Sequence, residues 1–361
     1  MRQTKALLAL LAGLLITACG GAGSGSSPSG APASVDVGSG NLAGAGSTFT
    51  EPFYTKAFYQ YSQLHSSVAV NYQPIGSGGG IQQFTKGTVD FGASDVPMTA
   101  AEVAAAGGAD AIAEFPTTLG VAAIAYNLAG IDKLQLDGPT LAKIYLGQIK
   151  TWNDPALAAL NGTTKLPGTP ISVTHRSEGS GTSYAFTDYL SKQSAEWQTK
   201  VGVGKSVQWP TGIGANGNAG VANAVKTTDG AIGYVELAFV VQARMQQAYL
   251  KNKNGKFVQA SLAGGSAAAA GTTGLSTTNF SITDAPGDTS YPIATFTWAI
   301  MKKTQADAAK GKALTYLMQW LVTGGQQYGK DLQYAPLPKA VSDLAQTSLK
   351  TVTANGAPIL K

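Results

Sequence analysis

Arg176-Ser177-Glu178-Gly179-Ser180-Gly181-Thr182-Ser183 lies between a β-like run, Ile171-Ser172-Val173-Thr174, and an amphipathic segment, Tyr184-Ala185-Phe186-Thr187-Asp188-Tyr189-Leu190. That order makes it a turn feeding a helix N-terminus. Its glycines let the backbone come close to a ligand. The first N–H groups of a helix have no partner within it, and the positive end of the helix dipole points the same way. Ser180, Thr182 and Ser183 add hydroxyl donors, and the planar guanidinium of Arg176 suits a tetrahedral oxyanion. This is the equipment of an anion site. The same residues also read as an ordinary N-cap, and the stretch alone does not choose between the two.

Similar junctions recur elsewhere in the chain. Ala43-Gly44-Ala45-Gly46-Ser47-Thr48-Phe49-Thr50 is a small-residue turn leading into a helix from Glu51 to about Tyr61, with Pro52 in its first turn. Val68–Tyr72 reads as a strand. Ile75-Gly76-Ser77-Gly78-Gly79-Gly80 opens a helix over Ile81–Thr85. Val89–Ala93 reads as a short strand ending in Ser94-Asp95-Val96-Pro97, followed by a helix over Thr99–Ala106. In an open α/β sheet, ligands collect outside the carboxyl ends of strands, at such junctions. Phe115–Tyr126 is apolar and reads as a buried strand pair or a crossing segment. Further on, strands are expected at Ala231–Val235 and Pro292–Met301 and helices at Leu141–Leu146 and Ala308–Val322, with another helix begun by Trp152–Pro155 and a last one after Pro338. Gly212–Gly220 is Gly/Asn-rich, and Gly264–Ser290 reads as a surface excursion.

The chain has 361 residues, 44% hydrophobic and 12% charged, enough for two domains and a large core. Arg2 and Lys5 precede a short apolar run, Ala6–Ile16, below the length that spans a bilayer. Ile16-Thr17-Ala18-Cys19 resembles the lipobox of bacterial lipoproteins, which implies a signal peptide over 1–18 and a lipid, such as palmitate, on Cys19. Gly20–Gly40 is nearly all Gly, Ser, Ala and Pro and reads as a flexible tether. Removing Arg2 and Lys5 leaves 23 basic residues against 20 acidic ones. No basic run exists, so there is no nucleic-acid footprint. One cysteine excludes an internal disulfide, and with only two histidines it argues against a zinc site.

Catalytic equipment is missing. No Gly-x-Ser-x-Gly elbow surrounds Ser180 or Ser77, and His175, at a strand end, is expected to point away from the site. Gly324–Lys330 has the spacing of a P-loop, but Asp331 replaces the Ser/Thr that would hold magnesium. No enzyme, cofactor or metal is expected. Asp95 is the informative residue. An ionised carboxylate only accepts hydrogen bonds, so in an anion site it needs a ligand that brings a proton. Phosphate carries one at neutral pH and sulfate does not, and a buried acceptor left unpaired rejects the wrong ligand. Asp95 also reads as a helix cap or as the partner of a distant base, and spacing alone leaves these open.

Together the quoted stretches, with Tyr145-Leu146-Gly147, Trp152 and Gly230-Ala231-Ile232-Gly233-Tyr234-Val235-Glu236, resemble the phosphate-binding proteins of bacterial high-affinity phosphate ABC transporters, within the periplasmic binding protein superfamily. They are in family order and cover Gly44 to Pro338. The resemblance implies a type II binding-protein fold: two α/β, Rossmann-like lobes with the ligand in the cleft between them. Lobe 1 would take 41–118 and 293–361, lobe 2 would take 119–292, and 19–40 would be the tether. By motif, Thr48, the Phe49 N–H, Ser77, Asp95, Arg176, Ser180, the Gly181 N–H and Thr182 would hold phosphate. Glu178 stands where the family places a carboxylate partner for the arginine, and Gly78 where some members have a second serine. The implied partners are phosphate, permease subunits and, through Cys19, a membrane. A monomer outside the cytoplasm, in the periplasm or on the cell surface, is expected. Alternatives are a receptor for another tetrahedral oxyanion, or a surface protein with an adhesion or signalling role.

Overall fold

The structure, a computed structural model, describes residues 35–361. The expected signal peptide, Cys19 and most of the expected tether lie outside the described residues. Val37–Lys361 forms one compact unit. All strands and helices of the described residues belong to it.

The alternation of apolar runs and small-residue turns becomes one large mixed sheet. Its strands lie in the order Val68–Pro74, Gly40–Gly46, Phe91–Ser94, Ala294–Lys302, Ile112–Tyr126, Ala231–Glu236, Ser172–Arg176 and Ile213–Ala215. The first three are parallel to one another, and so are the last three. The two middle strands run antiparallel to their neighbours.

Ile112–Tyr126 joins the two halves. Up to Val121 it pairs with Ala294–Lys302, and from Ala122 it pairs with Ala231–Glu236. Every residue in it except Glu114 is buried. A strand covered on both faces has no alternating pattern, which is why its sequence admits two readings; the structure makes it a single crossing strand.

Helices form where capping and periodicity agree. Glu51–Leu64 has Pro52 in its first turn and buries Phe53, Tyr54, Ala57, Phe58 and Tyr61 on one face. Ala100–Ala105 starts from a capping box between Thr99 and Glu102. Ala308–Leu321 is capped by Asp307 and buries Leu314, Leu317, Met318 and Leu321.

Three expectations change. The helix expected from Ile81 begins at Ser77, so the glycine run is its first turn. Glycine disfavours helix, but a Cβ on Gly80 would lie 2.4 Å from the Gly46 Cα. Only glycine lets this helix lie against the neighbouring strand. Gly212–Gly220 holds the strand Ile213–Ala215 and the start of a helix, Gly217–Thr227. The reading of Gly264–Ser290 as a surface excursion fails at its beginning. Leu262–Ala270 is a helix burying Gly264, Gly265, Ala268 and Ala269. A Cβ on Gly265 would stand 3.1 Å from Val121 Cγ1, so the small residues serve close packing.

Candidate functional site

Two sets of three parallel strands, running in opposite directions, end toward one place, and each end supplies a polar group. Gly40–Gly46 leads to Ser47 and Thr48, Val68–Pro74 to Ser77, and Phe91–Ser94 to Asp95. From the other half, Ser172–Arg176 ends in Arg176 itself and continues to Ser180, Gly181 and Thr182. Ile213–Ala215 leads to Asn218, and Ala231–Glu236 ends in Glu236. The anchor under Arg176 is aromatic. Its N–H donates to the Tyr234 hydroxyl (2.9 Å), and Tyr234 packs on Phe186, Trp209 and Tyr145. His175 stacks on Trp209.

Hydrogen bonds tie the halves together. Arg176 Nη2 donates to Thr48 Oγ1 (3.0 Å) and Nη1 to Thr182 Oγ1 (3.2 Å). Its remaining edge, Nε and Nη2, faces Glu178 in an ion pair, and Glu178 also accepts from the Gly217 N–H. A forked cation held by a carboxylate keeps one orientation. Ser77 Oγ accepts from the N–H groups of Asp95 and Gly181, each at 3.1 Å. Ser180 caps its helix by accepting from Ser183 N–H (3.1 Å). Phe49 N–H meets Ser47 Oγ (3.0 Å).

The backbone approach is as close as glycine permits. Gly78 N–H donates to Gly179 O (2.8 Å), and a Cβ on Gly78 would stand 3.2 Å from the Gly179 Cα. A serine at 78 would therefore crowd the facing loop. A Cβ on Gly181 would fall 2.5 Å from Asp95 Cβ and 2.6 Å from Ser77 Oγ.

Asp95 is 2% exposed. Its Oδ1 accepts from Ser47 Oγ and from Thr297 Oγ1 (2.8 Å), and the Ser77 hydroxyl also hydrogen-bonds the carboxylate. Burial pushes its carboxyl up to about 6, against the pull of the Ser47 and Thr297 hydroxyls, of Arg176 and of the Ser77 hydroxyl. Arg176 is 3% exposed. The arrangement can hold an anion that both accepts several hydrogen bonds and donates one.

A PBP superfamily domain model matches residues 31–323. The phosphate-binding protein PstS of Xylella fastidiosa (strain 9a5c) is 42% identical over 301 residues, covering 82% of this chain and 81% of that one. PstS of Pasteurella multocida is 42% identical over 314 residues, covering 86% and 90%. The chain belongs to the PstS family. Its fold is the two-lobed α/β fold of binding proteins. A solved phosphate-binding protein, PfluDING bound with phosphate, superposes with a TM-score of 0.71 at 22% identity, covering 85% of this chain and 93% of that one.

In this PstS-family chain, the residues singled out from the sequence for the anion site fall in one connected cluster: Thr48, Phe49, Ser77, Asp95, Arg176, Glu178, Ser180, Gly181 and Thr182. Four neighbours were missed. Ser47 and Thr297 hold Asp95, Asn218 bridges Thr48 and Thr182, and the Glu236 N–H holds Asn218. Ser47 and Asn218 lie inside stretches notable for their small residues. Thr297 lies within an apolar strand and carries no local signal.

Proposed function

We infer that this chain is an extracytoplasmic receptor that binds inorganic phosphate by hydrogen bonds alone and delivers it to an ABC transporter permease. Membership of the PstS family makes it a solute receptor rather than an enzyme. The observation that carries the choice of ligand is Asp95. A buried carboxylate, which only accepts when ionised, sits among groups that can all donate, and a protonated phosphate satisfies both kinds. The proposed ligands are Thr48, Phe49 N–H, Ser77, Asp95, Arg176, Ser180, Gly181 N–H and Thr182, with Glu178 orienting the arginine. The hand-over of pairing between Val121 and Ala122 supports the division into lobes of 41–118 with 293–361, and 119–292. Donors drawn from both lobes make closure depend on ligand. The motif at Cys19 supports a cleaved signal peptide over 1–18, a lipid such as palmitate on that residue and a membrane anchor through it, with a tether over 19–40; the receptor is proposed to be a monomer.

The test is calorimetric titration of phosphate into phosphate-free protein at pH 8, alone and with excess sulfate. One-to-one binding at micromolar or tighter Kd, about −8 kcal/mol, unaffected by sulfate, is expected. Absence of binding would remove the receptor reading, and competition by sulfate would remove the role of Asp95.

A further inference from the structure

We infer that Asn218 sets the direction of the Thr182 hydroxyl, and reinforces that of Thr48, so that both must donate to the bound anion; this rests on the phosphate-receptor reading and deepens it. Asn218 is fully buried, in the first turn of helix Gly217–Thr227, just after the left-handed Gly217 (φ 68°). The Glu236 N–H lies 2.9 Å from its Oδ1. A backbone N–H only donates, so this contact fixes which end of the amide is oxygen and aims the NH2 the other way. That Nδ2 lies 3.0 Å from Thr48 Oγ1 and 3.3 Å from Thr182 Oγ1.

A threonine hydroxyl has one proton and two lone pairs. On Thr182 the lone pairs face Asn218 Nδ2 and Arg176 Nη1. On Thr48 they face Arg176 Nη2, the Asn218 N–H at 3.2 Å and Asn218 Nδ2. None of these nitrogens accepts a hydrogen bond. Each hydroxyl proton is therefore turned away from them, and no described residue accepts it. Without the amide, Thr48 keeps two N–H donors but Thr182 keeps only one. Its O–H could then swing into the open lone-pair direction, and it would arrive at the anion unoriented. The effect of losing Asn218 thus falls on Thr182. Thr48 and Thr182 also come from opposite halves of the sheet, so one side chain orients donors on both sides of the site.

The experiment is a double-mutant cycle of Asn218→Ala with Thr182→Val, read as Kd for inorganic phosphate on the full-length protein at pH 8. Asn218→Ala alone should weaken binding by about tenfold to a hundredfold, the range of a hydrogen bond to a charged group. In the Thr182→Val background the same change should cost less than about twofold, because the hydroxyl it orients is gone. An equal loss in both backgrounds would overturn the proposal, since a general structural role or a direct contact is independent of Thr182. So would an Asn218→Ala protein within about twofold of the parent. Asn218→Asp guards against a folding defect. It keeps the oxygen that meets Glu236 N–H but turns the donor into an acceptor that captures the threonine protons. It should bind phosphate more weakly than Asn218→Ala, and binding as tight as the parent's would equally overturn the proposal. If the parent itself binds no phosphate, the receptor reading fails first, and that outcome is separate from these.

Discussion

At Asp95 a carboxylate sits among groups that otherwise donate, and its environment explains both its use and its titration. Asn at this position would offer an amide that can turn its NH2 to the ligand, so Asp95→Asn should let sulfate compete. Selectivity for phosphate should fall by at least about a hundredfold in competition titrations, since unpaired buried acceptors account for large rejections. Sulfate still failing to compete would sink the argument. The same chemistry predicts a pH effect in the unmodified protein. Burial raises the Asp95 carboxyl to about 6. Above that value it accepts only, and as pH falls through it the protonated form donates, so sulfate competition should appear below about pH 6. Arg176 makes the complementary case. Arg176→Ala removes the donor shared by Thr48 and Thr182 and leaves Glu178 without its cation. Phosphate affinity should drop by at least about a hundredfold. Arg176→Lys should not restore it, because an ammonium lacks the fork that meets Glu178, Thr48 and Thr182 together; near-normal titration by the lysine variant would show that geometry at this position is unimportant.

Helix starts and strand ends carry the next level. The helix Gly181–Gln193 approaches Asp95 and Ser77 so closely that a methyl group at its first residue has no room. Gly181→Ala should therefore lower phosphate affinity by at least about tenfold, while Ser180→Ala also removes a helix cap worth about 1 kcal/mol of stability. Comparing titration with thermal unfolding for the two variants separates closure from capping; unchanged affinity in Gly181→Ala would mean that this approach is not part of the binding state. Legibility among these elements was uneven. Turn chemistry located both the Arg176 loop and Asp95, because Gly, Ser and Asp have local backbone preferences. It misplaced the helix start at Ser77 and the helix Leu262–Ala270, because in both the small residues answer to a neighbouring strand rather than to the local chain.

Across the whole molecule, several carboxyls are wholly or largely withdrawn from water. Burial raises Asp95 to about 6, Glu114 to about 7, and Glu236 well above the usual carboxylate range. For these groups the folded state binds more protons than the unfolded chain between roughly pH 4 and 7. Their contribution to stability is fully present below the unfolded values near 4 and is lost as pH rises through the folded ones. Glu102, held by Lys205 (2.5 Å), and Glu196, held by Lys200, run the other way, but burial also raises Glu51 and Asp284, so two groups stand against five. The ligand-free protein should thus melt several degrees higher at pH 5 than at pH 8, at about 2–4 °C per kcal/mol. A lower Tm at pH 5 would show that these carboxyls do not dominate the linkage.

Residue type and local spacing were enough for the α/β class, the turns that supply donors, and the family. The turns are recorded each in one chain segment, and the family in several segments taken together. Tertiary contacts alone establish that Thr297 and Ser47 hold Asp95, that Asn218 bridges Thr48 and Thr182, and that Gly78 and Gly181 need their missing side chains. These contacts join residues from separate strands across the two halves of the sheet. No local pattern encodes them, because which strand ends meet is set by sheet order and by the crossing strand Ile112–Tyr126.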